Sequence, residues 1–494
     1  MEKASSISAQ VTGNAGFSVD DAVVNARSVF MEYKKATGLQ KAQFLKNIAA
    51  EIKEAGPVLI PVTQQESALP VPRLEGELQR TINQLNLFAA LLTEGSWVRA
   101  IIDKKENPAV DIRQVQVPLG VVAVFGASNF PFAFSVAGGD TASALAAGCP
   151  VVYKAHPGHP ATSAIVADCI TRAAEKSNLP AGVFTVVKGD SIEVGQQLVK
   201  HPLISAVAFT GSFRGGKALF DAAARREKPI PVYAEMGSVN PVFILPRMLH
   251  EQGEDIAAKI VGSNHLGVGQ FCTNPGIVVL PPQHSAGAFI NKSAELVSAA
   301  KGGVMLTVGI HTAYANGVKK ITQKTTVKLA AAGAATEAER VANPYLFVTD
   351  ADNFLNDEEL HEELFGPSSL FVETTDKAAL YNIALRLQGQ LTATVWGTDE
   401  DLAEFAELIT ILEDKAGRLL INGVPTGVEV TAAMVHGGPY PATTDSRSTS
   451  VGTDAIYRFT RPVCYQNFPQ FLLPDALKDD NPLSIHRMKN GQIE

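Results

Sequence analysis

The chain reads as an α/β protein with two parallel-sheet domains, and three features point that way. At 494 residues it is too long for a single core. From residue 112 onward, short apolar runs alternate with helical stretches, the order that builds right-handed βαβ units. The alternation breaks at GSVNP, around 237–245, and then resumes, which predicts a domain boundary there.

The stretch 17–105 is predicted to be mostly helical. SVDDAVVNARSVFMEYKKA and QKAQFLKNIAAEIKEAG space their apolar residues by three and four, with charges between. Ser18 stands ahead of two acids, the pattern of an N-cap. At 112 the period changes: IRQVQVPLGVVAVFG alternates and then becomes wholly apolar, as a strand entering a buried sheet does. PVVYK (150–154), VFTVVKG (183–189), AVAFTG (206–211) and PVYAE (231–235) repeat that pattern. FSVAGGDTASALAAG, HPATSAIVADCITRAAEK, SIEVGQQLVK and RGGKALFDAAARRE are the helices between them. The second series runs PVFIL, GIVVLPP, PYLFVTD, SSLFVET, LTATVWG and RLLING, with EDIAAKIVGSNH and DKAALYNIALRLQ among its helices. The 298–335 region reads as surface helix and loop. The tail from about 455 reads as a proline-broken segment suited to wrapping another surface or subunit.

A hydrophobic content of 46 %, a charged content of 19 % and 40 glycines are ordinary for an α/β protein. The net charge of −8 argues against nucleic acid or an anionic membrane as the main partner. No run approaches the roughly 18–20 apolar residues of a membrane span. The opening MEKASSISAQVTGNAG lacks the features of a secretory signal, so a cytoplasmic location is expected. The cysteines at 149, 169, 272 and 464 form no CxxC pair, and the ten histidines form no HExxH, so neither disulfides nor a metal site are expected.

Five segments carry chemistry. GQFCTNPG (269–276) sets Cys272 in a glycine-flanked turn, where a substrate can reach the thiol. FGASNFPF (125–132) puts Asn129 after a buried strand, as a turn residue or as an amide donor to an oxyanion. VVYKAHPGHP (151–160) brings Lys154 out at a strand end, either solvated or facing a ribose or phosphate. AFTGSFRGG (208–216) is a strand, a turn and a helix start, an anion-binding geometry that alone is weak evidence for a nucleotide. VYAEMGSVNP (232–241) ends a strand on Glu235, where desolvation predicts a raised pKa suited to a general base, or else a turn cap.

Taken in order, SNFPF, Lys154, FTGS, the glutamate of EMGSVNP, GQFC, EELFGP (362–367) and GRLLINGVPTGV (417–428) resemble the aldehyde dehydrogenase superfamily over nearly the whole chain. The resemblance implies a Rossmann-type cofactor domain (1–103 and 119–240) and an α/β catalytic domain (241–454). It also implies a small oligomerisation element at 104–118 and a C-terminal tail at 455–494, with a homodimer or homotetramer as the assembly. By the same resemblance Cys272 is the nucleophile toward an aldehyde, Asn129 the oxyanion donor and Glu235 the base for water. Lys154 would contact the adenine-side ribose, Gly211 and Ser212 would lie by the pyrophosphate, and Glu363 and Phe365 would position the nicotinamide ribose and ring.

Many relatives carry a glutamate where this chain has Pro157. Removing that acid removes repulsion toward a 2′-phosphate, so NADP is the expected cofactor and NAD the alternative, with Lys154 and Arg214 as candidate phosphate partners. Val239 replaces a common lysine without an evident reason. SNFPFAFSVAGGDTASALAAGCPVVYKAHPGHP, HGGPYPATTDSRSTSVGT (436–453) and RFTRPVCYQNFP are most similar to a bacterial branch that oxidises α-ketoglutarate semialdehyde (2,5-dioxopentanoate) with NADP. A sister branch acting on fatty aldehydes shares part of this signature. His436 is then either an auxiliary proton acceptor or a loop histidine bonding backbone, and Arg447 and Arg461 are candidates for a distal carboxylate. The competing readings are a medium- or long-chain aldehyde substrate, a catalytically silent scaffold, and a cysteine hydrolase.

Overall fold

In a computed structural model, residues 18–494 are described apart from 107–108 and 335–337, and the side chains of 283–285 are also left aside. The polar N-terminal segment and the first residues of the expected cofactor domain lie outside the described residues. Helices α1 (Val19–Tyr33), α2 (Gly38–Ser67) and α3 (Val71–Glu94) form the first layer. Ser18 caps α1 by accepting the Asp21 N–H, as its position predicts. The helical stretch ends sooner than expected, because Ile101–Lys105 is a strand, β1, paired with β2 (Val110–Pro118).

The next five strands are β3 (Val121–Phe125), β4 (Val151–Lys154), β5 (Phe184–Val187), β6 (Ile204–Thr210) and β7 (Val232–Glu235). They form one parallel sheet in the order β5-β4-β3-β6-β7. The crossovers are α4 (Gly139–Ala147), α5 (Pro160–Lys176), α6 (Ile192–Lys200) and α7 (Phe213–Ala224). α4 is shorter than its sequence suggests, since 131–138 form turns that carry the chain back across the sheet end. Val122 and Val124 pack into one core while Val121, Ala123 and Phe125 pack into another, so β3 is apolar on both faces.

The second series forms a sheet of its own. Its strands are β8 (Val242–Ile244), β9 (Ile277–Leu280), β11 (Lys328–Ala332), β13 (Tyr345–Asp350), β14 (Ser368–Glu373), β15 (Gln390–Trp396) and β16 (Ala416–Ile421). Their order is β11-β13-β14-β9-β8-β15-β16, and only β11 runs antiparallel to its neighbour. The region expected to be only helix and loop therefore supplies an edge strand, along with β10 (Gly303–Val304), which pairs with β12 (Val341–Ala342). In the tail, β17 (Thr460–Gln466), β18 (Met488–Lys489) and β19 (Gln492–Ile493) join the first hairpin in a sheet ordered β17-β2-β1-β18-β19.

The order β5-β4-β3-β6-β7 reverses direction between β3 and β6. Open parallel sheets bind ligands beyond the carboxyl ends at such a point. A buried ion pair stabilises this region: Arg458 Nη1 lies 2.7 Å from Asp140 Oδ1, and its Nη2 donates to Ser143 Oγ at 3.2 Å. The pair ties the 453–459 turn to α4. Arg458→Met should lower the unfolding free energy read from chemical denaturation by about 3–5 kcal/mol, with a lower midpoint, because Asp140 is left buried without its cation. Asp140→Asn added to it should recover part of that loss, and an unchanged midpoint in the single variant would contradict this account.

Candidate active site

Glu235 ends β7 and is 4 % exposed. Its backbone is fixed on two sides: Gly211 N–H donates to Glu235 O at 3.1 Å, and Met236 N–H donates to Ala442 O at 2.8 Å. The HGGPYPATTDSRSTS segment runs back along β7 through an antiparallel bridge from Thr443 to Glu235. It then closes on itself, with His436 N–H donating to Thr449 Oγ1 at 2.8 Å and Ser450 N–H donating to His436 O at 2.8 Å. Both side chains at this closure face the carboxylate. Ser450 Oγ donates to Glu235 Oε2 at 2.7 Å, and His436 Nε2 lies 2.9 Å from Oε1.

The predicted rise in the Glu235 pKa is overturned. Burial does push it up, but the His436 charge and hydrogen bonds from His436, Ser450 and Cys272 outweigh burial and hold it below the ordinary value. Glu235 is thus an ionised carboxylate at neutral pH.

Cys272 is half-buried, on a loop clamped from both sides. Asn240 Nδ2 donates to the carbonyls of Cys272 and Asn274, both at 2.9 Å. Gly269, at φ +65°, crosses the EELFGP segment so closely that a Cβ would sit 2.2 Å from the Gly366 carbonyl carbon. The thiol faces His436 Nε2 at 3.5 Å. Burial, then the Glu235 charge and hydrogen bond, push the thiol pKa well above its usual range. The ring nitrogen meets both the thiol and the carboxylate, which also bond each other, so the three groups share a proton within one cluster rather than along a linear relay.

Asn129 lies near this loop and donates its amide to Gln270 O at 2.9 Å, which leaves its second N–H for another acceptor. Its turn is held by α3. Glu77 Oε1 accepts the N–H groups of Phe132 and Ala133 at 2.8 and 3.0 Å, and Arg73 Nη2 donates to Asn129 O at 3.2 Å. The Arg73 guanidinium also lies over the rings of Phe130 and Phe271, at 4.5 and 4.7 Å.

Lys154 ends β4 half-buried, and burial lowers its pKa against the opposing Asp190 charge. Gly211 and Ser212 are exposed at the start of α7, where Ser212 Oγ accepts the Gly215 N–H. An exposed helix N-terminus beside the β3/β6 switch fits a dinucleotide phosphate. Glu363 is exposed as a residue but turns its carboxyl against Gly237, where a Cβ would sit 2.6 Å from Oε2. Burial of that carboxyl pushes its pKa up to about 8. Phe365 lines the same small cavity.

Arg447 is exposed and paired with Asp445 at 3.1 Å, and Arg461 is exposed on β17, so neither faces the thiol. Both were near the HGGPYP segment in sequence only. The arginines that do approach are Arg80 on α3 and Arg418 on β16, each within reach of the Cys272 charge. Arg80 Nε donates to Val428 O at 3.2 Å, and Arg418 Nη1 donates to Gly427 O at 2.9 Å. Arg80 Nη2 and Arg418 Nε are buried with no partner. Among Arg80, Asn240, Glu77 and Ser450, Asn240 and Ser450 stood in segments the sequence singled out, though neither was named there, and Arg80 and Glu77 stood in none.

Residues 4–460 match the profile described as the Aldehyde dehydrogenase family. The chain is 48 % identical over 481 residues to Alpha-ketoglutaric semialdehyde dehydrogenase of Acinetobacter baylyi, covering 96 % of this chain and 91 % of the relative. It is 47 % identical over 481 residues to Alpha-ketoglutaric semialdehyde dehydrogenase 2 of Azospirillum brasilense, covering 96 % and 92 %. Among solved structures, apo betaine aldehyde dehydrogenase from Staphylococcus aureus superposes with a TM-score of 0.79 at 19 % identity, over 92 % of this chain and 89 % of that one. The glyceraldehyde-3-phosphate dehydrogenase GapN of Methanocaldococcus jannaschii, complexed with NADP, gives 0.77 at 20 % identity, over 91 % and 95 %.

The Glu235 charge suppresses the Cys272 thiolate, and the neutral amide of Glu235→Gln lifts that suppression. In nucleotide-free protein, iodoacetamide should therefore alkylate Cys272 faster near neutral pH in Glu235→Gln, with the pH onset shifted down. Slower alkylation in that variant would make Glu235 the activator of the thiol instead.

Proposed function

Because the chain belongs to the aldehyde dehydrogenase family, we propose that it oxidises α-ketoglutarate semialdehyde to α-ketoglutarate, with NADP preferred over NAD. Cys272 adds to the aldehyde carbon, and its proton passes to the position shared by His436 and Glu235. The free N–H of Asn129 and the Cys272 backbone N–H hold the oxyanion of the adduct. A nicotinamide held beside Glu363 and Phe365 would supply the hydride acceptor, and Cys272 would then carry the acyl group as a thioester. That first proton leaves to solvent; Glu235, ionised again and tethered by Ser450, then takes a proton from the water that cleaves the thioester, with His436 as an auxiliary acceptor, and returns it to the departing Cys272 thiolate.

In this reading the β5-β4-β3-β6-β7 sheet binds the nucleotide through Lys154, Gly211 and Ser212, with Glu363 and Phe365 on the nicotinamide side. The neutral Pro157 supports a 2′-phosphate near Lys154. The seven-stranded sheet carries the cysteine loop, and the β17-β2-β1-β18-β19 sheet joins subunits into a dimer or tetramer. Its nearby exposed Phe471, Leu472 and Ile493 support a covering second copy.

The observation that carries the substrate is the pair of half-buried arginines, Arg80 and Arg418, whose charges reach Cys272. Arg80 Nη2 and Arg418 Nε each lack a hydrogen-bond partner, which makes these two cations the candidates for the distal carboxylate of an acidic semialdehyde. Aromatic walls from Phe130, Phe134 and Phe271 favour the fatty-aldehyde reading, but such a substrate leaves those donors unmatched.

Activity should be measured for acidic semialdehydes and alkanals, each with NADP and NAD. Acidic semialdehydes with NADP should be the best pair, and a preference for decanal would sink the proposal. Arg80→Gln should lower kcat/KM for the acidic semialdehyde about ten- to a hundredfold, for one lost charged hydrogen bond, while sparing the alkanal. Lys154→Ala should raise KM for NADP more than for NAD.

A further inference from the structure

We propose that Cys272, His436 and Glu235 also form a zinc site whose occupation blocks the enzyme. The ligating atoms of these three residues all lie within 4.8 Å of one another. A tetrahedral zinc with ordinary Zn–S and Zn–N bonds sets sulfur and nitrogen about 3.5 Å apart, and nitrogen and oxygen about 3.4 Å apart. Here Sγ and Nε2 are separated by 3.5 Å, and Nε2 and Oε1 by 2.9 Å. A carboxylate shift of about half an ångström completes the tripod.

The reason lies in the shared proton position. Lone pairs of the thiolate, imidazole and carboxylate converge on one point, and a divalent cation can take the place of the proton there. Binding releases the thiol proton and any proton on His436 Nε2 to solvent, and the thiolate and carboxylate together balance the charge of the cation. Thiolate with imidazole selects zinc over magnesium or calcium. The Ser450 bond to Oε2 leaves Oε1 as the ligand and orients it, as outer hydrogen bonds do in zinc sites. The fourth position is left for a water. The adjacent Arg80 and Arg418 oppose an incoming cation, partly offset by Glu429 beside Arg80 and Glu363 beside Cys272.

Inhibition rests on the proposed covalent mechanism, whereas binding does not. The probe is cobalt(II), added to the full-length, reduced, metal-free protein without aldehyde. The expected result is one equivalent bound with a tetrahedral visible spectrum and a thiolate-to-cobalt charge-transfer band, both displaced by zinc. The band should vanish in Cys272→Ser and in His436→Gln, persist in Cys464→Ser, and form about ten- to a hundredfold more weakly in Ser450→Ala. Zinc should inhibit turnover with a midpoint matching its displacement of cobalt. A band that survives Cys272→Ser but not Cys464→Ser would move the site to the exposed thiol and overturn the proposal. So would a six-coordinate spectrum with no charge-transfer band. Protein that forms the band yet oxidises no aldehyde would keep the site and defeat the functional reading. Full activity without the band would do the reverse.

Discussion

The structure is organised around one buried carboxylate. Glu235 sits at the end of a sheet strand, nearly out of contact with water, and a lone ion there would cost several kcal/mol. The chain meets that demand by folding the 436–450 segment back along β7, so that an imidazole and a hydroxyl reach the carboxylate oxygens. The same folding sets the imidazole beside the thiol. Satisfying the acid and gathering thiol, imidazole and carboxylate are therefore one structural event.

A second buried acid plays the matching part on the other wall. Glu77 projects from α3 into the 129–133 turn and accepts its backbone N–H groups, while Arg73, one helical turn away, holds the carbonyl of Asn129. Each acid fixes an irregular segment against a regular element. Buried ion pairs contribute little net stability compared with apolar packing, so their value here is positional.

The parallel strands were legible because both of their faces are covered, which leaves uninterrupted runs such as VVAVF and IVVL. The edge strand β11 was not, since KLAAA has neither β-branched residues nor strict alternation and is paired on one side only. The thiol, the acid and the amide could be named from short motifs, because those motifs sit at strand ends or in tight turns. The lowered Glu235 pKa could not, as its cause is a contact with a histidine far along the chain. Arg80 and Arg418 were missed for a similar reason: each sits in an ordinary helical or strand pattern, and only the fold aims them at the thiol. Arg447 and Arg461 show the converse error, in which nearness in sequence stood in for nearness in space.

The Gly269–Gly366 crossing has a mechanical meaning. Backbone meets backbone there with no side chain between, and Asn274 Nδ2 adds a bond to the Gly366 carbonyl at 3.1 Å. The cysteine loop and the segment bearing Glu363 thus behave as one rigid part with two working edges. A displacement at either edge is transmitted to the other without loss in a flexible side chain. Whatever settles against Glu363 therefore bears on the seat of the thiol as well, and the reverse holds equally.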